Sequence, residues 1–305
     1  MDNFSVTYCG VKFPTPIVIP SGIVSSAQAM IALSKVKGVG GLTWKSTSLK
    51  PRDGYHTPVV AKYDAGFINA VGLKNPGIDQ TVTDIKLVKK HTHIPIIASV
   101  FAFQISDFSE VAMKIVQAKP DLIEVNISCP HVHDELGRPI SDDPILSAMV
   151  IGEVKRVVKK IPIIAKLSPN VANLAEIAHA VEDAGADGIA AINTAGPGML
   201  IDISRRQAIL GNKIGGISGV GIKPLALRCV YQIAKAVKIP IIGMGGISTG
   251  TDAVEMVMAG ATLIGVGSAM FGGGPAVFNK ILTEMTDIME KEKISSLKSI
   301  IGCIN

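Results

Sequence analysis

Eight short apolar runs, most of them separated by a segment of helical periodicity, predict an α/β fold: a (β/α)8 TIM barrel with long loops over its C-terminal face. Composition agrees. Of 305 residues 48% are hydrophobic, yet aromatics are scarce, with 8 Phe, 4 Tyr and 1 Trp. That balance suits a Val/Ile/Ala-rich parallel sheet buried on both faces. No linker-like break in composition divides the chain, so a single barrel domain over residues 1–305 is preferred to a two-domain doubly wound fold.

The runs, in order, are Pro16–Gly22, Gly41–Ser46, Ile94–Phe101, Leu122–Cys129, Ile161–Ser168, Gly188–Thr194, Ile239–Gly246 and Leu263–Ser268. Helical periodicity covers Asp107–Ala118, Pro144–Lys160, Asn173–Ala184, Lys223–Val237 and Thr251–Ala259. Asp143-Pro144 supplies an N-cap and a first-turn proline. Ala184-Gly185-Ala186-Asp187 and Ala259-Gly260-Ala261 read as helix ends feeding the next strand. Ile-Pro-Ile-Ile opens three of the strands, at Ile94, Ile161 and Ile239, as repeated βα units would.

Three connections are longer than a barrel needs: Thr47–Val82, Pro130–Asp143 and Ala195–Ile222. Each follows the carboxyl end of a strand, so all three are expected over one mouth, where barrels carry their chemistry.

Several function classes are excluded by composition. The four cysteines, Cys9, Cys129, Cys229 and Cys303, contain no C-x-x-C pair, so neither a metal site nor a disulfide framework is expected. A net charge of +5 is modest. The clusters Lys86–Lys90 and Lys155–Lys160 are interleaved with apolar residues and read as solvated helix faces, not a nucleic-acid surface. The longest apolar runs are too short and interrupted to span a bilayer, and Met1-Asp2-Asn3 does not begin a signal peptide, so a cytoplasmic location is expected.

The strand ends are polar: Ser21-Gly22, Lys45-Ser46, Ser99, Asn126-Ile127-Ser128-Cys129, Lys166, Asn193-Thr194, Gly245-Gly246 and Gly267-Ser268. A lysine near a barrel axis is costly without a partner, so Lys45 and Lys166 are expected to face an anion or an electron-rich ring. Gly245-Gly246-Ile247-Ser248-Thr249 and Gly265-Val266-Gly267-Ser268 close the last two strands, where barrels bind phosphate with close backbone approach and helix-start amides. Gly219 could add another amide. Phosphate and two lysines suit either a sugar-phosphate enzyme or a flavin mononucleotide enzyme.

The residues beyond the phosphate decide. Trp44-Lys45-Ser46-Thr47 with Lys50-Pro51-Arg52, the loop Asn69-Ala70-Val71-Gly72-Leu73-Lys74-Asn75-Pro76-Gly77, Asn126–Pro130, Lys166-Leu167-Ser168-Pro169-Asn170, Asn193-Thr194, Ser218-Gly219 and Gly245-Gly246 together resemble the dihydroorotate dehydrogenases, flavin enzymes of pyrimidine synthesis. The resemblance runs from Pro20-Ser21-Gly22 to the last barrel strand.

The resemblance implies oxidation of dihydroorotate to orotate with FMN as cofactor. Cys129 would be the base that takes the C5 proton while hydride leaves C6 for flavin N5. Asn69, Asn126, Asn193 and Thr194 would clamp the pyrimidine ring, and Lys45 with the amides of Val71, Gly72 and Leu73 would receive the carboxylate. Ser21, Lys45, Ser46, Asn126, Lys166, Ile192, Gly219, Gly245, Gly246, Gly267 and Ser268 would hold FMN, with Lys166 near its N1–C2 carbonyl.

Gly198-Met199-Leu200-Ile201-Asp202-Ile203 and Lys223-Pro224-Leu225-Ala226-Leu227-Arg228 resemble the subclass that passes electrons to NAD through a second subunit carrying FAD and an iron–sulfur cluster. A homodimer within a heterotetramer is the implied assembly. The membrane-bound quinone-reducing class is disfavoured, since it has Ser at the Cys129 position. Cys129-Pro130-His131 also resembles the flavin domain of dihydropyrimidine dehydrogenases, which reduce uracil or thymine, whereas the Asn69–Leu73 loop matches the orotate version. A non-redox phosphate-binding barrel, a tRNA dihydrouridine synthase and a catalytically silent barrel share parts of the same pattern.

Overall fold

The computed structural model describes residues 4–128 and 140–304. Eight parallel strands close into a barrel: β1 (Ile17–Ile19), β2 (Gly41–Thr47), β3 (Ile96–Val100), β4 (Leu122–Asn126), β5 (Ile163–Lys166), β6 (Gly188–Ala191), β7 (Ile241–Met244) and β8 (Leu263–Gly265). Each strand pairs with its neighbours in sequence, and β8 pairs with β1. The expected strands are all present; seven are shorter, since polar exits and proline-led entrances stand outside the ladder, while β2 runs one residue further than expected, to Thr47.

Helices wrap the outside: α1 (Ala27–Leu33), α2 (Ile78–His91), α3 (Ile105–Ile115), α4 (Pro144–Val157), α5 (Leu174–Asp183), α6 (Lys223–Ala236), α7 (Gly250–Met258), α8 (Ala269–Gly273) and α9 (Ala276–Lys291). Asp143 caps α4, accepting from the amides of Ile145 and Leu146, as its place before Pro144 predicts. The loop expected to run to Val82 gives way to α2 four residues earlier, at Ile78.

The Ile-Pro-Ile-Ile repeat has a local cause at its first two copies. Each proline passes to a strand whose first amide is held by a carboxylate at the entrance of the neighbouring strand. Ile96 N–H donates to Asp121 Oδ2 and Ile163 N–H to Asp187 Oδ2, both at 2.8 Å. Lys89 and Lys155, on the outer helices, pair with the same two carboxylates at 2.7 and 2.6 Å.

An antiparallel hairpin, Val6–Tyr8 with Val11–Phe13, closes the amino-terminal end of the barrel. Its turn places Cys9 and Gly10 both at positive φ, 48° and 79°, as a two-residue hairpin that follows strand twist requires. Tyr8 and Phe13 are fully buried against Val18, Ile97, Leu122, Ile164, Ala190, Ile242 and Leu263 in the barrel interior. The Tyr8 hydroxyl donates to Ile189 O at 3.0 Å. The Cys9 thiol donates to Asp187 O at 3.0 Å, and burial, then the Asp187 charge, push its pKa up to about 12. It is a protonated thiol, inert at neutral pH.

At the other end, two of the three long connections meet. Val60–Tyr63 and Gly66–Asn69 from the loop after β2, and Ala195–Met199 and Ile214–Ser218 from the loop after β6, form one four-stranded antiparallel sheet. Ile214–Ser218 pairs with Gly66–Asn69 at its centre, Asn69 opposite Gly216. The third long connection lies mostly outside the described residues.

Candidate active site

Strand alternation sorts β4 into two sets. Ile123 and Val125 join the core under the helices, while Leu122 joins the barrel interior. Glu124 and Asn126 share the parity of Leu122 and continue that inward row toward the mouth. The interior is thus apolar at the plugged end and polar at the open one.

On β2 a bulge changes the alternation. Trp44 pairs with Ala98 and Thr47 with Val100, so β2 carries one extra residue between these pairs. Regular alternation from Leu42 and Trp44 would turn Ser46 outward. Instead its hydroxyl lies 2.8 Å from Ser99 Oγ and accepts from Asn126 Nδ2 at 3.0 Å. Bulges re-aim side chains in this way beside active sites. Ser21, at the exit of β1, lies 3.1 Å from the same hydroxyl and accepts the Ser46 amide at 3.1 Å.

The network crosses to the remaining strands. Ser99 donates to Glu124 Oε1 at 2.7 Å, and Glu124 Oε2 lies 3.9 Å from Lys166 Nζ. Lys166 also lies 3.0 Å from the Met244 thioether. Asn126 Oδ1 accepts from the amide and hydroxyl of Ser128, at 3.2 and 2.7 Å. Ser128 Oγ accepts from Asn193 Nδ2 at 2.6 Å, and Asn193 Oδ1 accepts the Thr194 amide at 2.8 Å. Ser21, Ser46, Asn126, Lys166 and Asn193 are therefore linked through Ser99, Glu124 and Ser128.

Lys45 stands apart from this network. Its pKa is lowered by burial alone. Among the described residues no carboxylate forms an ion pair with it. A cation so placed has its cost offset by binding an anion.

The loop after β2 adds an amide-rich turn. Gly72 and Leu73 both have positive φ, 72° and 56°. The carbonyls of Val71, Gly72 and Leu73 accept from Tyr55 N, Arg52 Nε and Asn75 Nδ2 at 3.2, 2.7 and 2.9 Å. Their amides donate to no acceptor among the described residues. Carbonyls tied back and amides free is the chemistry of an anion nest. Asn69 Nδ2 donates to Gly216 O at 3.3 Å, and a Cβ on Gly216 would collide with the Thr194 side chain, so Asn69 and Thr194 both adjoin one glycine.

The expected phosphate end is partly corrected. At the start of α7 the amides of Ser248 and Thr249 both donate to Asp252 Oδ2 at 2.9 Å, and Gly250 N donates to Glu284 Oε2 at 2.6 Å. These helix-start amides are already capped. Lys223 is likewise engaged, 2.7 Å from Asp252 and 2.8 Å from Glu255, and those bonds raise its pKa. The amides of Gly219, Gly246, Gly267 and Ser268 have no acceptor among the described residues.

At Gly245 and Gly246 glycine is required by space, and at Gly267 a side chain would be tight. A Cβ on Gly246, at φ 76°, would lie 2.8 Å from Lys223 N. One on Gly245 would lie 2.6 Å from Ala226 Cβ and 3.4 Å from Ile192 Cγ1, with Ile192 anchored by its amide to Met244 O at 3.0 Å. One on Gly267 would lie 3.1 Å from Ile23 Cδ1. A glycine cradle with free amides, a lysine with only a thioether and a distant carboxylate, and a second lysine without an acid fit a phosphorylated ring cofactor and an anionic substrate.

Two residues of the network escaped sequence reasoning. Glu124, 2% exposed, reads as part of an apolar run, and Met244 reads as strand filler. The signal for Glu124 was its charge, isolated among Leu122, Ile123 and Val125. Cys129, the expected base, and His131 lie outside the described residues.

The comparisons with known proteins agree with this geometry. The family model for dihydroorotate dehydrogenase matches residues 3–289. Dihydroorotate dehydrogenase B (NAD(+)), catalytic subunit, of Methanothermobacter thermautotrophicus is 40% identical over 294 residues, 96% of each chain. The protein of the same description from Lachnoclostridium phytofermentans is 39% identical over 302 residues, 99% of each chain. Among solved structures, DHODH from Eimeria tenella in complex with ferulenol superposes with a TM-score of 0.87 over 99% of this chain and 89% of that one. At 22% identity that likeness establishes the shared barrel fold. The chain belongs to the dihydroorotate dehydrogenase family.

Proposed function

We propose that this chain, as one FMN-binding barrel domain, oxidises dihydroorotate to orotate in pyrimidine biosynthesis. The observation that carries the reading is the pairing of a hydrogen-bonded amide array with an acid-free lysine. Asn126 and Asn193 are oriented through Ser128, Asn69 and Thr194 adjoin Gly216, and Lys45 lacks a carboxylate among the described residues. Amides match a ring of alternating C=O and N–H groups, and Lys45 with the free amides of Val71, Gly72 and Leu73 matches its carboxylate.

FMN, when bound, supplies the two-electron acceptor for the hydride that leaves substrate C6. The chain's own part is to bind, orient and move the proton. Cys129 follows in sequence the serine that bonds both asparagines. As thiolate it takes the C5 proton and becomes thiol, and the C5–C6 bond becomes double as hydride departs. Lys166 offers a positive charge that favours the reduced flavin, and the glycines at 219, 245, 246 and 267 with Ser268 offer close approach and amides to its phosphate.

Electrons then leave through a partner. The relatives' description as catalytic subunits supports a separate electron-transfer subunit, which we assign FAD and an iron–sulfur cluster, with this chain as a homodimer in a heterotetramer. Among the described residues no helix is long and apolar enough to cross a membrane, and we place the protein in the cytoplasm.

One sequence observation supports a second reading. His131 after Cys129-Pro130 resembles enzymes of uracil and thymine. Anaerobic bleaching of the FMN-loaded protein with dihydroorotate, dihydrouracil and dihydrothymine side by side separates the two. Bleaching by dihydroorotate alone is expected. Bleaching only by the other two would replace the substrate, and a protein that stays colourless after incubation with FMN would favour a non-redox barrel.

A further inference from the structure

Glu124 takes no part in the chemistry assigned to Cys129, the asparagines or Lys166, yet it is 2% exposed and bonded into the network that holds Asn126 and Lys166. Counting protons shows what it does. A carboxylate only accepts, and a hydroxyl carries one proton. Ser99 donates its proton to Glu124 Oε1 at 2.7 Å, so toward Ser46, at 2.8 Å, it can only accept. Ser46, its proton committed to Ser99, accepts from Asn126 Nδ2 at 3.0 Å. Asn126 therefore turns Oδ1 to Ser128, whose own proton goes to that oxygen and whose oxygen accepts from Asn193 Nδ2. Both asparagines are left with one amide hydrogen free of any acceptor among the described residues. A donor direction that starts at one carboxylate thus reaches both clamps.

The other carboxylate oxygen serves a different group. Oε2 lies 3.9 Å from Lys166 Nζ, with the side chains 3% and 6% exposed. Within the described residues Glu124 is the only anion paired with Lys166, whose other close neighbour is the neutral Met244 thioether at 3.0 Å. The two functions come from two oxygens of one residue, held by its burial between β3 and β5.

We propose that Glu124 is a positioning residue that couples the two halves of the site: one oxygen sets the donor direction of the asparagine clamps, and the other holds and partly neutralises Lys166. The proposal rests on the flavin and dihydroorotate reading of the site. A glutamine can serve only one arm. With its carbonyl toward Ser99 its NH2 group faces the Lys166 ammonium, donor against donor. With its NH2 group toward Ser99, Ser99 must turn its proton to Ser46, and the donor order set by the carboxylate is lost. In either case Lys166 loses its anion, and an uncompensated cation beside the flavin stabilises the reduced form.

The test measures the flavin midpoint potential of the full-length, FMN-loaded protein by enzymatic reduction against an indicator dye, without dihydroorotate. Glu124→Gln is expected to shift the equilibrium toward reduced flavin about tenfold, or about 30 mV more positive for two electrons. Glu124→Asp, which keeps the charge, should restore the potential to within about threefold in the same equilibrium. A flavin-loaded Glu124→Gln protein with an unchanged potential overturns the lysine arm, even if its melting temperature or FMN retention falls.

Ser99→Ala tests the other arm and does not depend on Glu124→Gln folding. It leaves both charges in place, so the potential should hold while orotate affinity, read by calorimetry, weakens about tenfold. Unchanged orotate affinity overturns the coupling to the clamps. A wild-type protein that binds FMN but is not bleached by dihydroorotate would remove the substrate reading and leave the potential result standing. A wild-type protein that binds no FMN removes both.

Discussion

Asn193 and Ser128, 65 residues apart in sequence, are joined by a hydrogen bond of 2.6 Å from Asn193 Nδ2 to Ser128 Oγ. It ties the exit of β6 to the exit of β4, and because the same hydroxyl donates to Asn126 Oδ1 at 2.7 Å it fixes both amides at once. Ser128→Ala removes both bonds. Orotate affinity is expected to fall about tenfold, some 1.4 kcal/mol, while FMN stays bound. Spectral titration with orotate checks this, and an unchanged dissociation constant would separate the serine from substrate binding.

Cys129→Ala should retain FMN and remain yellow. Loss of a general base is expected to slow dihydroorotate-driven bleaching by about 10²- to 10⁴-fold, measured anaerobically by stopped flow. Bleaching at the wild-type rate would transfer the proton to another group.

The buried position of Lys45 predicts a pH signature with a definite sign. Its folded-state pKa lies below the ordinary lysine value because of burial. Between those two values the unfolded chain binds more protons than the folded one, so the free protein gains stability as pH rises through that window. A carboxylate ligand needs the ammonium and behaves oppositely: orotate affinity should fall as pH climbs through the lowered pKa. Lys45→Met is expected to flatten that profile and to weaken binding about 10- to 100-fold. A wild-type profile flat up to the ordinary lysine range would argue against Lys45 as the carboxylate partner.

At the closed end, Tyr8→Phe deletes the hydroxyl bonded to Ile189 O and keeps the ring. A cost of about 1 kcal/mol is expected, against about 3–5 kcal/mol for Tyr8→Ala, which empties the plug. Urea denaturation measures both. Equal costs would mean that the ring contributes nothing beyond its hydroxyl.

Gly246→Ala places a methyl group 2.8 Å from Lys223 N at a residue of φ 76°. Weaker FMN retention is expected, by about tenfold or more, through displacement of the amides that approach the phosphate. Equilibrium dialysis against FMN reads it directly, and retention equal to wild type would place the phosphate elsewhere.

The barrel was legible because its strands are buried on both faces and therefore read as continuous apolar runs, such as Ile241–Met244. Their ends were overextended where polar side chains such as Ser168 and Thr194 follow the last ladder residue. The antiparallel sheet over the mouth left no such trace. Ala195–Met199 reads Ala-Gly-Pro-Gly-Met, and its partner Ile214–Ser218 is half exposed, so neither alternation nor length marks a strand. Asp252 was legible in principle, since Thr249-x-x-Asp252 is a capping-box spacing. That box consumes the amides expected to serve phosphate. Lys45, Asn126 and Asn193 could be read as site residues from strand position and resemblance, but the bulge that turns Ser46 inward is a property of pairing with β3, which one strand's sequence does not contain.

The sheet shared by the loops after β2 and β6 also couples the two loops at the mouth. Asn69 and Gly216 are register partners across it, and Asn69 and Thr194 adjoin the same glycine. A one-residue slip in the pairing of Gly66–Asn69 with Ile214–Ser218 would turn the slipped strand's side chains to the opposite face. The two loops thus share one register at the mouth, and a change of length in one bears on side chains carried by the other.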